Sequence, residues 1–442
     1  SEEVDPADFK TKKDISGKPK ETADFDDWVD NTINPKQEPA PVEQAFAGEQ
    51  VTFEDIKPYV SMYKSDDGKI VHDVLDKDGE SVYKTNNAKD AMNYLSKNFS
   101  QLRGSAPKVK DFIKQLIKES QNDMATVVSA GIVGDCSTFV DTGSFSLNAL
   151  TSGSMYGGVP SNKITCFAGS EAVGKTFITL SIAKNFLDQD KKNLVIYFES
   201  EGALTKDMIE ERGLDIDRIG LFPVATVEEF RTQCVRIIEN SGKNEGKMMI
   251  FLDSLGNLST MKEMGDVAGG SDKRDMTRAP MIRGTFRTLS LMLSKHNIPL
   301  IITNHTYDAI GSMFPKKEIS GGGGIKYAAS VIATLARRKY KDGTEVLGNI
   351  IKAKLVKGRM TKEESIMEFL LDYEKGLDKY YGLIPLAEKY GIFKKVSTRY
   401  ETPVGKAFEK TIVNDPEKYF TKDVMKQLED AAQSEFHYGS SK

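Results

Sequence analysis

Cysteine, histidine and tryptophan are scarce in this 442-residue chain: three Cys, four His and one Trp. Cys136, Cys166 and Cys234 stand too far apart for a disulfide framework or a CxxC metal site, and His72, His296, His305 and His437 show no ligand spacing. That leaves no basis for structural zinc and suits a reducing compartment. Long apolar runs are missing too: none reaches the ~18 residues of a membrane span. The first residues, SEEVDPADFK, are acidic and polar where an export signal would be basic and then apolar. A strong net charge is also absent, at -4 overall, but its distribution is uneven. Residues 1-60 carry fifteen Asp and Glu against seven Lys and Arg, so the remainder is net positive. That tilt is a weak pointer towards a polyanionic partner.

What is present divides the chain. Residues 1-50, rich in Asp, Glu, Pro and Lys with Trp28 as the one strong apolar anchor, read as a disordered acidic tail. Residues 51-103 alternate β-type residues around Asp67-Gly68 and Asp78-Gly79 and turn helical after Asn86-Asn87, which predicts a small ββ(β)α module. In PKVKDFIKQLIKESQND, Val109, Phe112, Ile113, Leu116 and Ile117 share one helical face that must be buried somewhere. From about residue 163, the strands KITCFAG, NLVIYFE, IGLFPV, MMIFLDS and IPLIITN alternate with amphipathic helices. This predicts an α/β core with a mostly parallel sheet covered on both faces.

The sharpest chemical signal is GSEAVGKT, with Gly169, Ser170, Glu171, Ala172, Val173, Gly174, Lys175 and Thr176 between a strand and a helix. It fits the phosphate-binding loop G-x-x-x-x-G-K-[ST] in its required context. Glycines let backbone N-H groups wrap phosphates and the helix N-terminus adds positive potential. Lys175 would meet the β and γ phosphates of ATP, and Thr176 would give a hydroxyl to Mg²⁺. Asp253 ends the apolar strand MMIFLDS, where a carboxylate can orient Mg²⁺ through water. Glu199 and Glu201 follow NLVIYF; strand alternation aims only one of them at the nucleotide, and spacing alone does not choose.

FLDSLGNLSTMKE, DMTRA at 275-279, NIPLIITNHTY at 297-307 and GGGGIKYAAS, in this order and beside the phosphate loop, resemble the RecA family of recombinases, in its phage T4-type UvsX branch. The resemblance runs from about Phe112 to Lys395 and implies a RecA-like core over 136-395. It makes Glu201 the catalytic base, Asp253 the Mg²⁺-orienting carboxylate, and Asn304-His305 the γ-phosphate sensor, with His305 in the catalytic set. Two segments, about 260-277 and 306-324, would hold single-stranded DNA. Arg274, Arg278, Lys316 and Lys317 would bring charge, Met313 and Phe314 would wedge against bases, and Gly321, Gly322, Gly323 and Gly324 would allow close phosphate approach. Lys357 and Arg359 fall where RecA carries two lysines that reach a neighbour's ATP. Their spacing of two puts both on one face of a strand.

The resemblance also implies that residues 107-135, a helix and a following strand, polymerise subunits into a filament. The implied activity is ATP-dependent pairing and strand exchange between single-stranded and double-stranded DNA in phage recombination, repair and replication. Mediator or loading proteins and a single-strand-binding protein would be partners, in the cytoplasm of an infected bacterium. A hexameric replicative helicase is the runner-up, and a clock- or signalling-type ATPase a distant third. Residues 51-103 and the expected helical region 396-442 match the family poorly and have no assigned role.

Overall fold

A computed structural model describes residues 56-102, 106-136, 138-270, 276-308, 317-320 and 323-439. The expected acidic tail over 1-50 therefore lies outside the described residues, as do Arg274, Met313, Phe314, Lys316, Gly321 and Gly322. The chain divides into two units, Ser1–Gly131 and Ile132–Lys442.

In the first unit, strands Val60–Lys64, Ile70–Leu75 and Ser81–Thr85 form an antiparallel meander. Its tight turns place Gly68 at φ +82° and Gly79 at φ +77°, a region where a side chain is strained. Helix Ala88–Leu102 follows, and Leu95 and Phe99 bury against Val60 and Val74 with Tyr83 stacked on Tyr94 at 4.3 Å. Helix Ala106–Glu119 comes next, and Val109, Phe112, Ile113 and Leu116 on its apolar stripe stay exposed. In the single subunit the segment 124-131 that follows it carries a 3-10 turn at Val128–Ala130, with Val128 exposed.

The second unit is built on a ten-stranded sheet. Six strands run parallel in the spatial order Val331–Asp342, Ile164–Gly169, Leu300–Asp308, Met248–Asp253, Leu194–Glu199 and Ile219–Pro223. Glu345–Gly358, Ile366–Asp372 and Gly376–Leu377 extend it antiparallel beyond Val331–Asp342. Near-continuous Val, Ile and Phe runs mark strands buried on both faces, as parallel strands are. Cores on the two faces bear this out, one against helix Lys175–Gln189 and one against helices Val227–Asn240 and Arg278–His296. This is the expected α/β class, and it brings the C-terminal ends of Ile164–Gly169, Leu194–Glu199, Met248–Asp253 and Leu300–Asp308 to one edge.

The C-terminal region is not purely helical. Lys394–Val396, Arg399–Thr402 and Gly405–Phe408 make a small antiparallel sheet before helices Glu409–Asn414, Pro416–Tyr419 and Lys422–Phe436. Tyr400, Ile412, Phe420, Leu428 and Phe436 join the main core, so this region is integral to the second unit.

Candidate functional site

The phosphate loop leaves the strand at Gly169, whose added Cβ would sit 2.9 Å from Val173 Cγ1 and 3.0 Å from Leu335 O. Gly174 at φ +105° opens helix Lys175–Gln189, and Arg337 Nη1 steadies the loop by donating to Ala172 O at 2.6 Å. Lys175 Nζ lies on the loop's own carbonyls, 3.1 Å from Gly169 O and 2.9 Å from Ser170 O. Burial lowers its pKa, while the charges of Glu201, Asp253 and Glu171 act the other way. An ammonium held this way is poised to exchange carbonyls for phosphate oxygens.

Beside it, Thr176 Oγ1 donates to Asp253 Oδ2 at 2.8 Å. Tyr197 OH donates to the same oxygen at 2.8 Å, and Thr303 Oγ1 donates to Oδ1. A hydroxyl and a carboxylate side by side at a helix N-terminus fit a nucleotide-bound Mg²⁺, with Thr176 as ligand and Asp253 acting through water.

The two glutamates separate clearly. Glu199 spends both oxygens on backbone N-H groups of Glu201, Gly202 and Ala203, at 3.0, 2.8 and 3.0 Å. It staples the turn. Glu201 instead accepts from Ser254 Oγ at 2.6 Å and from His305 Nε2 at 3.0 Å. An ionised carboxylate has no proton to give, so the imidazole carries its hydrogen on Nε2. Burial pushes the Glu201 pKa up, but bonds from Ser254 and His305 and the charges of His305 and Lys175 outweigh it, leaving the carboxyl below its ordinary value. The His305 ring also needs Gly256: a Cβ there would lie 2.9 Å from His305 Cδ2. Asn304 Nδ2 donates to Ser320 O at 2.8 Å and so ties strand Leu300–Asp308 to Ser320.

Lys357 and Arg359 lie elsewhere. Strand Glu345–Gly358 runs antiparallel to Val331–Asp342, so its end meets the start of Ile164–Gly169, with Arg359 N bonded to Ser330 O at 3.0 Å. That is the sheet edge opposite the phosphate loop, separated from it by about 17 Å of strand. Lys357 Nζ caps the end of helix Gly323–Ala328, donating to Lys326 O and, at 3.2 Å, to Tyr327 O. Burial and the adjacent Arg359 charge lower its pKa.

At this edge opens a cleft of about 340 Å³ lined by Lys163, Arg283, Arg287, Arg359, Tyr327 and Gly324 among others, with no carboxylate among its lining residues. Arg283 and Arg287 stand one helical turn apart on the exposed side of Arg278–His296, and Arg283 lies 5.5 Å from the Tyr327 ring centre. The sequence reading missed both; the signal was their spacing of four, beside the apolar stripe Ile282, Phe286, Leu289 and Leu293. Arg278 is placed differently. Its guanidinium donates to Leu258 O at 3.0 Å and Gly256 O at 2.8 Å, bracing the turn under His305. Gly324 is buried, and its Cβ would meet Ile282 Cγ2 at 2.9 Å and Arg283 N at 3.0 Å, so the missing side chain serves helix packing. Gly323 starts the same helix, and Lys317 starts the short strand Lys317–Ile319, paired with Thr306 to Asp308. Between 260 and 277, helix Met261–Ala268 exposes Met261, Met264 and Val267, and Met276 is exposed beyond it.

A phosphate loop, a strand-end aspartate and a glutamate bonded to a histidine, all at one edge of a parallel sheet, make the arrangement of a P-loop ATPase. Residues 110-378 match the family described as the RecA N-terminal domain, which is more than half of the chain, and the chain belongs to that family. Its members are DNA-dependent ATPases of homologous recombination, and this chain is an ATP-dependent recombinase of that kind. It is similar to the "Recombination and repair protein" of Enterobacteria phage T4, with 29% identity over 287 residues, 65% of this chain and 73% of that protein. Protein RecA of Chloroherpeton thalassium is 30% identical over 295 residues, 64% of this chain and 78% of that protein. Protein RecA of Paracoccus denitrificans is 29% identical over 250 residues, 55% and 67% of the two chains. These comparisons lend the helicase alternative no support. Among the described residues no helix is long and apolar enough to cross a membrane.

Proposed function

We propose that the chain polymerises head to tail on single-stranded DNA, with each ATP held between two subunits and its hydrolysis coupled to the DNA-holding segments. Mg²⁺-ATP, when bound, supplies the anhydride to be broken and a divalent charge for the phosphates. Lys175 would leave the Gly169 and Ser170 carbonyls for the β and γ phosphates, and Thr176 and Asp253 would hold the metal. Glu201 would take the proton of the attacking water. Its lowered pKa keeps it ionised at neutral pH, and Ser254 and His305 fix its direction. His305 and Asn304 would carry the state of the γ phosphate along their strand towards the segment 306-324, as nucleotide switches do.

The observation that carries this reading is the Glu201-His305 contact, because it joins the hydrolytic carboxylate to the strand that leads into the DNA segment. The exposed stripe of helix Ala106–Glu119 supports polymerisation, since one subunit leaves it unburied. The basic cleft with Arg283 and Arg287 supports a phosphate backbone running along the opposite edge. Lys357 and Arg359, far from their own phosphate loop, fit service to a neighbour's ATP. A loading protein and a single-strand-binding protein would act on such a filament in the host cytoplasm.

The test mixes Lys357→Ala/Arg359→Ala protein with Lys175→Ala protein, each nearly inactive alone. Partial ATPase recovery in mixed filaments is expected. No recovery at any ratio, with filaments seen by microscopy, would remove the shared site.

A further inference from the structure

Tyr197 is fully buried, yet it carries a hydroxyl that core packing does not require. Phenylalanine would fill the same volume without the cost of burying a polar group. The ring is stacked on Phe251, its register partner on the adjacent strand, with centroids 5.3 Å apart and planes 18° from parallel. The hydroxyl lies 2.8 Å from Asp253 Oδ2 and 2.9 Å from Thr179 Oγ1. Thr179 belongs to the phosphate-loop helix and also reaches Thr176 O at 2.8 Å. One phenol thus links three elements that meet at the metal site.

The protons can be counted. An ionised Asp253 has none, so Tyr197 donates to it, and Thr179 keeps its own proton for the phenol oxygen or for Thr176 O. A carboxylate offers about four lone-pair directions. Thr303 takes one on Oδ1, and Thr176 and Tyr197 take two on Oδ2. One direction is left. Without the phenol, the carboxylate could turn about its Cβ bond and share that direction among several poses.

Resting on the assignment of Asp253 made above, we propose that Tyr197 is a positioning residue that holds the Asp253 carboxylate in the orientation that receives the water of the nucleotide-bound divalent cation. Its place beneath the carboxylate makes cation affinity, rather than nucleotide affinity, the quantity it controls.

The experiment titrates Mn²⁺ into the full chain holding ADP and reads free Mn²⁺ by electron paramagnetic resonance. Tyr197→Phe should weaken Mn²⁺ binding about tenfold, the order expected for one hydrogen bond to a charged acceptor. Metal-free ADP affinity and the melting temperature should stay near those of the parent. Thr179→Val should weaken Mn²⁺ by a smaller factor, and it decides the matter if Tyr197→Phe does not fold. Unchanged Mn²⁺ affinity in the folded variants, with or without a lowered melting temperature, would leave Tyr197 a packing role and overturn the inference. Asp253→Asn in the same assay separates the two levels. If it shifts Mn²⁺ binding and Tyr197→Phe does not, only the inference falls; if it shifts nothing, the metal assignment falls first and the inference with it.

Discussion

Phe112→Ala tests the polymerisation face at its largest side chain. Phe112 is 59% exposed on helix Ala106–Glu119, flanked by exposed Val109, Ile113 and Leu116. A phenylalanine offers 150–250 Å² to burial, so roughly 100 Å² beyond Cβ is free to be covered by a neighbour. At about 25 cal/mol per Å² that is ~2.5 kcal/mol per contact. Assembly should then need about 70-fold more protein. The measurement is the critical concentration for filament growth on single-stranded DNA with a slowly hydrolysed ATP analogue, followed by light scattering and checked by microscopy. Because the side chain buries little in the subunit, the melting temperature should hold and nucleotide binding should be unaffected. An unchanged critical concentration would show that the stripe is not the polymerisation face. A fall in melting temperature of the isolated subunit would show that it packs at home.

Three other outcomes are expected. Glu201→Gln should keep ATP and DNA binding while turnover falls by a factor of 10² or more, since the base is lost and the shape kept; Glu199→Gln should chiefly lower the melting temperature, because an amide N-H₂ then opposes a backbone N-H at Glu201, Gly202 or Ala203. Arg283→Ala with Arg287→Ala should weaken single-stranded DNA binding across all sequences and flatten the salt dependence by about 0.7 log units per lost phosphate contact; an unaltered slope in filter binding between low and high salt would place the DNA elsewhere.

The parts of the site that were legible in the sequence are those in which chemistry and spacing lie within one short segment. Gly169 to Thr176 could be read directly, and Asp253 follows from an apolar strand that stops on a charge. What escaped depends on through-space pairing. Tyr197 sits in an apolar strand, where it reads as one more core aromatic until its hydroxyl is seen against Asp253. Ser254 and Thr303 are ordinary strand-end residues with no motif of their own. Gly324 was read as room for a phosphate, but the space is filled by Ile282 and Arg283, a contact between segments forty residues apart. The C-terminal sheet was hidden for a different reason. Its strands are three or four residues long, and only Tyr400 and Ala407 point inward, too few for a period of two to stand out.

The proposed service of Lys357 and Arg359 to a neighbour's ATP would follow from the sheet itself. Parallel strands deliver Gly169, Glu199, Asp253 and His305 to their C-terminal edge, while the antiparallel return of Glu345–Gly358 delivers Lys357 and Arg359 to the other. No side chain spans about 17 Å, so the two sets meet only if a second subunit stacks edge to edge. In the single subunit Lys357 is occupied with the carbonyls of Lys326 and Tyr327, at the end of helix Gly323–Ala328. A cation drawn towards a neighbour's phosphate would release that cap. That release would free the C-terminal end of helix Gly323–Ala328, which carries Tyr327 and packs beside Arg283, because a single ammonium can satisfy those carbonyls or a phosphate but not both.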